Sequence, residues 1–404
     1  MNSIDIEDRY GIRFCNRQEV VIESGQGTLV WDSEGARYLD FTSGWGVTCL
    51  GHAHPVVVDA LCRQSGKVMQ NPNSGFTYSA ARAELLELLA PLLPGSLKRL
   101  FFVNSGAEAN DASIKLARKV SGRPRIVSTV DSFHGRTLNT LSVSGGVSNA
   151  YRYPPRFPYT DFVPFGELDP LEKVLSDEVA ALIVEPVQGE GGVRIPPGNY
   201  LPEVSSLCKE RNVLLIVDEI QTGFGRTGKL FALQHAAGPV HADFLTLGKG
   251  IASGFPFAAL AITDEVEARI EKGDHGGTYC GNPLGCAVST AVIKYLLQHD
   301  VAAQVERKGQ MLLAGLQQLW RKYPDIIRNA RGAGLLTALE LANNQLVADL
   351  TLACQQRGLL VTPTRNAIVR LIPDLLVSDT HIEQALMTLD NAISSLGPWV
   401  AAAS

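Results

Sequence analysis

Paired cysteines, long apolar runs and an excess of positive charge are all missing from this chain of 404 residues. Its seven cysteines (Cys15, Cys49, Cys62, Cys208, Cys280, Cys286 and Cys354) are odd in number and never spaced Cys-x-x-Cys. That excludes a disulfide framework or a zinc knuckle and reads as scattered thiols in a reducing compartment. No stretch approaches the ~18 apolar residues of a membrane span. The first eleven residues carry Asp5, Glu7, Asp8 and Arg9 with no apolar stretch, so no signal peptide is expected. A cytoplasmic protein without membrane contact is therefore the expectation. Acids outnumber bases, 41 to 36, which argues against nucleic-acid binding through a basic surface. His52-Ala-His54-Pro55 lacks further spaced ligands, so no metal is expected there. Charged residues are only 19% of the chain, against roughly 25% in an average one. The hydrophobic fraction is 45%, which excludes disorder and permits a large core.

What is present is an alternation of short apolar runs and helical patterns. Strands are expected at 100–103, 125–128, 181–185, 213–217, 244–247 and 257–262. These runs are nearly continuous in apolar residues, the pattern of parallel strands buried on both faces. Helices are expected at 107–120 and around 201–211. The reading is an α/β fold with a mostly parallel central sheet. The ends differ. Short strands are expected at 20–22, 29–31 and 37–41. Beyond about residue 284 the pattern is helical at 287–299 and 301–323. Strand-like pieces follow at 335–341 and 368–372, and a last helix at 381–396. A smaller α+β domain is thus expected from both termini: residues 1–50 and 291–404, around a large domain at 51–290.

Open α/β sheets bind ligands beyond the carboxyl ends of their strands. Several of the expected strands end in polar residues: Glu185, Asp218-Glu219, Gly248-Lys249-Gly250 and Asn104-Ser105-Gly106-Ala107. One such residue can be a cap or a core ion pair, but several at successive strand ends point to one shared site. The turn at 104–107 opens a helix whose free N–H groups suit a phosphate. Lys249 between glycines could form a Schiff base, and Asp218 could hold a protonated ring nitrogen. Together these describe pyridoxal 5'-phosphate (PLP). Gly223-Phe-Gly-Arg-Thr-Gly228 formally matches a dinucleotide turn and, with Lys229, nearly a phosphate loop. Asp218 and Glu219 intervene in the first case and Leu230 replaces the required Ser or Thr in the second.

With these residues in view, the chain resembles the class III PLP-dependent aminotransferases of fold type I, and most of all the acetylornithine and succinylornithine enzymes. The resemblance rests on Asn-Ser-Gly-Ala-Glu-Ala-Asn at 104–110, Ser-Phe-His-Gly-Arg-Thr at 132–137 and Glu-Pro-Val-Gln-Gly-Glu at 185–190. It continues through Asp-Glu-Ile-Gln-Thr-Gly-Phe-Gly-Arg-Thr-Gly at 218–228, Leu-Gly-Lys-Gly at 247–250 and Gly-Gly-Thr-Tyr-Cys-Gly-Asn-Pro-Leu at 276–284. It implies Lys249 as Schiff-base lysine and proton shuttle, Asp218 on the pyridinium nitrogen and Gln221 on the ring hydroxyl. Phe133 and Ile220 would face the two sides of the ring. Ser105, Gly106 and Ala107 would bind the phosphate, completed by Thr278 from the neighbouring subunit of a homodimer.

For the substrates, the resemblance implies Arg370 on a carboxylate, gripped bidentately. Glu190 would mask that arginine while an ω-amine enters, and Arg136 would meet the far carboxylate. The implied reaction moves the terminal amino group of an ornithine-like donor, such as N-acetylornithine, to 2-oxoglutarate, giving an aldehyde and glutamate. One position departs from the pattern. Trp45 stands where acetylornithine enzymes tend to carry a small aliphatic residue, and an indole there would shorten or reshape the amine pocket. The alternative is a transaminase for 4-aminobutyrate or another ω-amino acid, with 2-oxoglutarate or pyruvate as acceptor. A PLP aminomutase is a third reading, against which Arg370 argues. A non-catalytic binding protein on the same fold is a fourth, against which Lys249, Asp218 and Gln221 argue.

Overall fold

Three stretches of short strands and the helices between them were resolved in a computed structural model, which describes residues 2–15, 17–145 and 159–396. Parts of the expected domain ranges (1, 16, 146–158 and 397–404) lie outside the described residues. The chain begins with an exposed helix, Ser3–Tyr10, whose Asn2 cap and Asp5 form a capping box. Strands β1 (Ile22–Gln26), β2 (Leu29–Asp32) and β3 (Arg37–Asp40) then form an antiparallel meander.

The central sheet has seven strands: β4 (Leu97–Val103), β5 (Arg125–Thr129), β6 (Thr160–Val163), β7 (Val179–Val184), β8 (Leu214–Asp218), β9 (Phe244–Leu247) and β10 (Ala258–Thr263). Their order is β4-β10-β9-β8-β7-β5-β6. Strands β7, β9 and β10 are buried along their whole length, as continuous apolar runs require when both faces are covered. The helix Gly106–Ser121 packs across β7, β8, β9 and β10. Its Ser105 cap and Glu108 form a reciprocal capping box, and Gly122 closes it at φ 70°.

The strand at 257–262 corrects one inference drawn from apolar continuity. β10 runs antiparallel to both β4 and β9, whereas β9-β8, β8-β7, β7-β5 and β5-β6 are parallel. A continuous apolar run reports burial on two faces, and a strand inserted between two buried neighbours has that property in either direction. Two successive antiparallel pairings return β4 to the direction of β9. The carboxyl ends of β4, β5, β7, β8 and β9 therefore share one edge of the sheet.

Beyond the sheet come the helices Pro283–Gln298 and Val301–Lys322. Then follow β11 (Ile327–Ala333), β12 (Leu336–Leu341), the helix Asn344–Gln355, β13 (Leu359–Leu360), β14 (Thr362–Thr364), β15 (Ile368–Leu371) and the helix Asp379–Ser395. Strand β13 pairs parallel with β3, so the N-terminal meander is completed by the C-terminal part of the chain. β12 pairs with β15, and β15 with β14, which carries Arg370 into the interior opposite Ala338 and Thr362. Sequence periodicity did not single out β6 or β11, nor the helices Pro55–Ser65, Ala80–Leu89 and Asn344–Gln355. Strand β6 is short and only partly buried, so it lacks the apolar run that marks its neighbours.

Candidate active site

A cavity of about 380 Å³ opens at the shared carboxyl edge, within the range of small-molecule sites. Its wall includes Gly106 and Ala107 after β4, Phe133, His134, Gly135 and Arg136 after β5, and Glu185 and Glu190 after β7. Asp218, Ile220 and Gln221 after β8, Lys249 after β9, and Trp45 complete it. Each strand ends in a loop whose backbone must approach the cavity closely. A Cβ on Gly106 would lie 2.7 Å from Ile220 Cδ1, and one on Gly189 would lie 1.5 Å from Gln221 Oε1. Any side chain at either position would have to displace Ile220 or Gln221 from the cavity wall.

Asp218 is the most heavily anchored group. Asn110 Nδ2 donates to its Oδ2 at 2.7 Å, and His134 Nδ1 stands 2.7 Å from the same oxygen. Its Oδ1 accepts from the Ile220 N–H at 3.0 Å. Asn110 is itself fixed, since Thr246 Oγ1 donates to its Oδ1 at 2.8 Å and its amide also donates to the His134 carbonyl at 2.8 Å. Asn110, His134 and Thr246 were not singled out from sequence, although the first two lie inside motifs that were. Their contribution depends on three separate strand ends meeting at one carboxylate.

Lys249 sits at φ 44°, a left-handed conformation costly for a residue with a side chain. Among the described residues its amine has no hydrogen-bond partner. Burial pulls its pKa down to about 8, a shift that Glu190 opposes and the Arg370 charge reinforces. A lysine in this state supplies a neutral amine far more readily than an exposed one.

Arg370 has no solvent-exposed surface, yet it faces an acid: its Nη2 lies 2.6 Å from Glu190 Oε1. Its Nη1 donates to Gln221 Oε1 at 3.3 Å, while its Nε is buried without a partner. Burial raises the Glu190 carboxyl, but the Arg370 and Lys249 charges outweigh it and hold the group below its ordinary value. The Gln221 amide nitrogen is likewise buried and unpartnered. Phe133 carries the Arg136 guanidinium over its ring at 5.9 Å, and the Arg136 side chain is exposed. Trp45 is 57% exposed and held at φ 67° between Gly44 and Gly46.

Two expected residues stand apart from this wall. The Ser105 hydroxyl accepts from the Glu108 N–H at 3.2 Å and so serves as the helix cap. Thr278 is exposed on the loop that precedes Pro283–Gln298. Its carbonyl accepts from Ser74 Oγ at 2.6 Å, and it borders a different cavity, beside Phe76 and Cys280.

Comparison with known proteins agrees with this geometry. The family model described as aminotransferase class-III matches residues 14–393. An acetylornithine aminotransferase of Methanothermobacter thermautotrophicus is 38% identical over 97% of this chain and 98% of its own length. That of Methanopyrus kandleri is 38% identical over 98% and 100%. Among solved structures, the ornithine aminotransferase of Toxoplasma gondii superposes with a TM-score of 0.92 at 32% identity, covering 97% of this chain and 94% of that one. The acetylornithine aminotransferase of Elizabethkingia anophelis gives 0.85 at 32% identity, covering 97% and 98%.

Proposed function

Because the chain belongs to the class-III aminotransferases, a family of PLP-dependent transaminases, we propose that it moves the terminal amino group of an N-acetylornithine-like donor to 2-oxoglutarate. The observation that carries this reading is the fully buried Arg370 paired with Glu190, which lines the same cavity as Lys249. The relatives named acetylornithine aminotransferase, which match nearly end to end, support the donor class.

The residues present fit the cofactor. When bound, PLP supplies an electron sink that stabilises negative charge developing at the carbon bearing the amine. Gly106 and Ala107, at the start of a helix, offer backbone N–H groups for its phosphate. Asp218 would hold a ring N–H, and the unpartnered Gln221 amide would donate to the ring oxygen. Phe133 and Ile220 would close the two faces. Lys249, with its lowered pKa, would hold the cofactor through its aldehyde carbon and, once displaced by the donor, its Nζ would take the proton from the substrate carbon that bears the amine and deliver it to that cofactor carbon. We infer a homodimer in which Thr278 completes the phosphate site of a second copy.

Substrate handling follows from the arginine. A donor presenting a neutral side arm meets Arg370 already neutralised by Glu190. An oxo-acid brings its own carboxylate, displaces Glu190 and takes both guanidinium nitrogens, leaving no buried charge unpaired in either state. Arg136, exposed beside Phe133, would receive the far carboxylate. One observation favours the second reading, an ω-amino acid transaminase: the Trp45 indole lines the cavity and narrows the space for a long acylated donor.

A half-reaction panel tests the choice. Glutamate and N-acetylornithine should each discharge the visible absorbance of the bound cofactor, and 4-aminobutyrate should not. If glutamate leaves the absorbance unchanged, the reading is wrong. Arg370→Ala should raise the KM for 2-oxoglutarate by about 100-fold, since two charge-assisted hydrogen bonds at roughly 1.5 kcal/mol each are lost.

A further inference from the structure

Glu185 follows β7 and faces the same cavity, but the chemistry above gives it no task. It is 5% exposed, and among the described residues no cation pairs with it. Its two oxygens serve two different loops. Oε2 accepts from the Phe133 N–H and Oε1 from the Gly189 N–H, each at 3.2 Å. Gly189 immediately precedes Glu190, and its Cα is packed against Gln221 Oε1. That oxygen accepts from Arg370 Nη1, and Arg370 pairs with Glu190. The contacts close into a ring of Gly189, Glu190, Arg370 and Gln221, to which Glu185 is tied through the Gly189 N–H.

We propose that Glu185 is a positioning residue for the acceptor half of the reaction: it holds the Gly189 backbone where Glu190 can release Arg370 and return to it. The proposal rests on the reading of Glu190 and Arg370 as a carboxylate gate.

Of the two loops, the one that continues from Gly189 carries the gate. The Phe133 segment is pinned elsewhere, by Ser144 Oγ accepting from the His134 N–H at 3.0 Å and by Asn110 donating to the His134 carbonyl at 2.8 Å. The loop that bears Glu190 turns through Gly191 and Gly192, the latter at φ 99°. Its other anchors flank the Gly189 N–H: the Gln188 amide donates to Thr129 Oγ1 at 3.0 Å and to the Val130 carbonyl at 2.8 Å, the Gly192 and Val193 N–H groups close on the Gly189 carbonyl at 3.3 and 3.4 Å, and Arg331 Nε donates to the Gly192 carbonyl at 2.8 Å. Gln188 keeps the loop folded, and Glu185 sets its last residue before the gate. Two N–H donors need two acceptor oxygens. An amide at 185 keeps the shape, offers one oxygen and turns an NH₂ toward the other donor. At Gly189 that loss is passed directly to Glu190, the next residue of the chain, whereas the Phe133 segment carries no part of the gate. Burial pushes the Glu185 carboxyl up to about 7, so its charge is costly where it stands, and neutralising it removes no stabilising ion pair.

The test is steady-state kinetics of the Glu185→Gln holoenzyme, with Glu190→Gln as reference and the melting temperature as control. The expected result for Glu185→Gln is a KM for the oxo-acid raised about 10-fold, a donor KM changed less than about 2-fold, and an unchanged melting temperature. Glu185→Asp keeps both acceptor oxygens on a shorter arm. It should shift the same ratio in the same direction by less, and it decides the matter if the glutamine variant does not fold. If Glu190→Gln leaves the balance between donor and acceptor untouched, the gate itself is refuted. If Glu190→Gln moves that balance while both Glu185 variants scale donor and acceptor KM equally, or leave both alone, the gate stands and Glu185 is only structural.

Discussion

At the Asp218 end of the cavity both carboxylate oxygens are engaged by Asn110, His134 and the Ile220 N–H, and Thr246 fixes Asn110 in turn. At the Arg370 end the bonds are fewer and looser. Among the described residues Arg370 Nε and Gln221 Nε2 have no partner, Glu190 is partly exposed, and Trp45 and Arg136 stand open to solvent. The first end is preorganised, as a site must be when the same charge is met in every turnover. The second leaves hydrogen-bonding capacity unspent, which in the proposed reaction would let it meet a neutral arm at one moment and a carboxylate at the next. On that proposal, rigidity and slack within one cavity would separate the invariant part of the reaction from the part that selects substrates.

The comparison can be broken from the rigid end first. Lys249→Ala should abolish turnover and the visible absorbance of the bound cofactor while the melting temperature of the apoenzyme holds, because among the described residues its side chain makes no hydrogen bond that stabilises the fold. A retained visible band would place the covalent attachment elsewhere. A smaller effect concerns pH. The neutral fraction of Lys249 grows about tenfold per unit up to its pKa. Cofactor capture by the apoenzyme should therefore rise with pH and level off above about 8, not near the ordinary 10.5. A rate still climbing at pH 10 would show that burial does not depress this amine. The smallest effect belongs to the slack end. Trp45→Ala should shift the preference between long and short donors by about 10-fold, the scale of reshaping one apolar contact. Stability should change little, since the indole is 57% exposed. A loss of all activity in this variant would mean that Trp45 belongs to the invariant end after all.

Much of the rigid end was legible in the sequence. Asp218, Lys249, Glu185 and the turn at 104–107 betray themselves because an ionisable or polar group directly after a buried apolar strand is costly unless it serves a site. His134 and Asn110 carry no such signal, since a histidine beside a glycine reads equally well as a turn, and an asparagine between Ala109 and Asp111 as the solvated face of a helix. Their role exists only because β5, the helix after β4 and β8 converge. At the slack end Arg370 was legible through its motif alone. Its complete burial was not, because an arginine in Ile-Val-Arg-Leu-Ile suits an edge strand facing water as well as one facing a cavity.

By itself the sequence determined the family, the two-sided burial of the central strands, and which ionisable groups end them. Those properties are local: they follow from residue types and spacings within a few positions of one another. Only the tertiary structure decided that β10 runs against its neighbours, that β13 completes the N-terminal meander, and that Gln221 reaches Arg370. Each of these joins segments distant along the chain. Local pattern constrains which face a residue turns, whereas the partner it finds there depends on which segments the connections allow to meet.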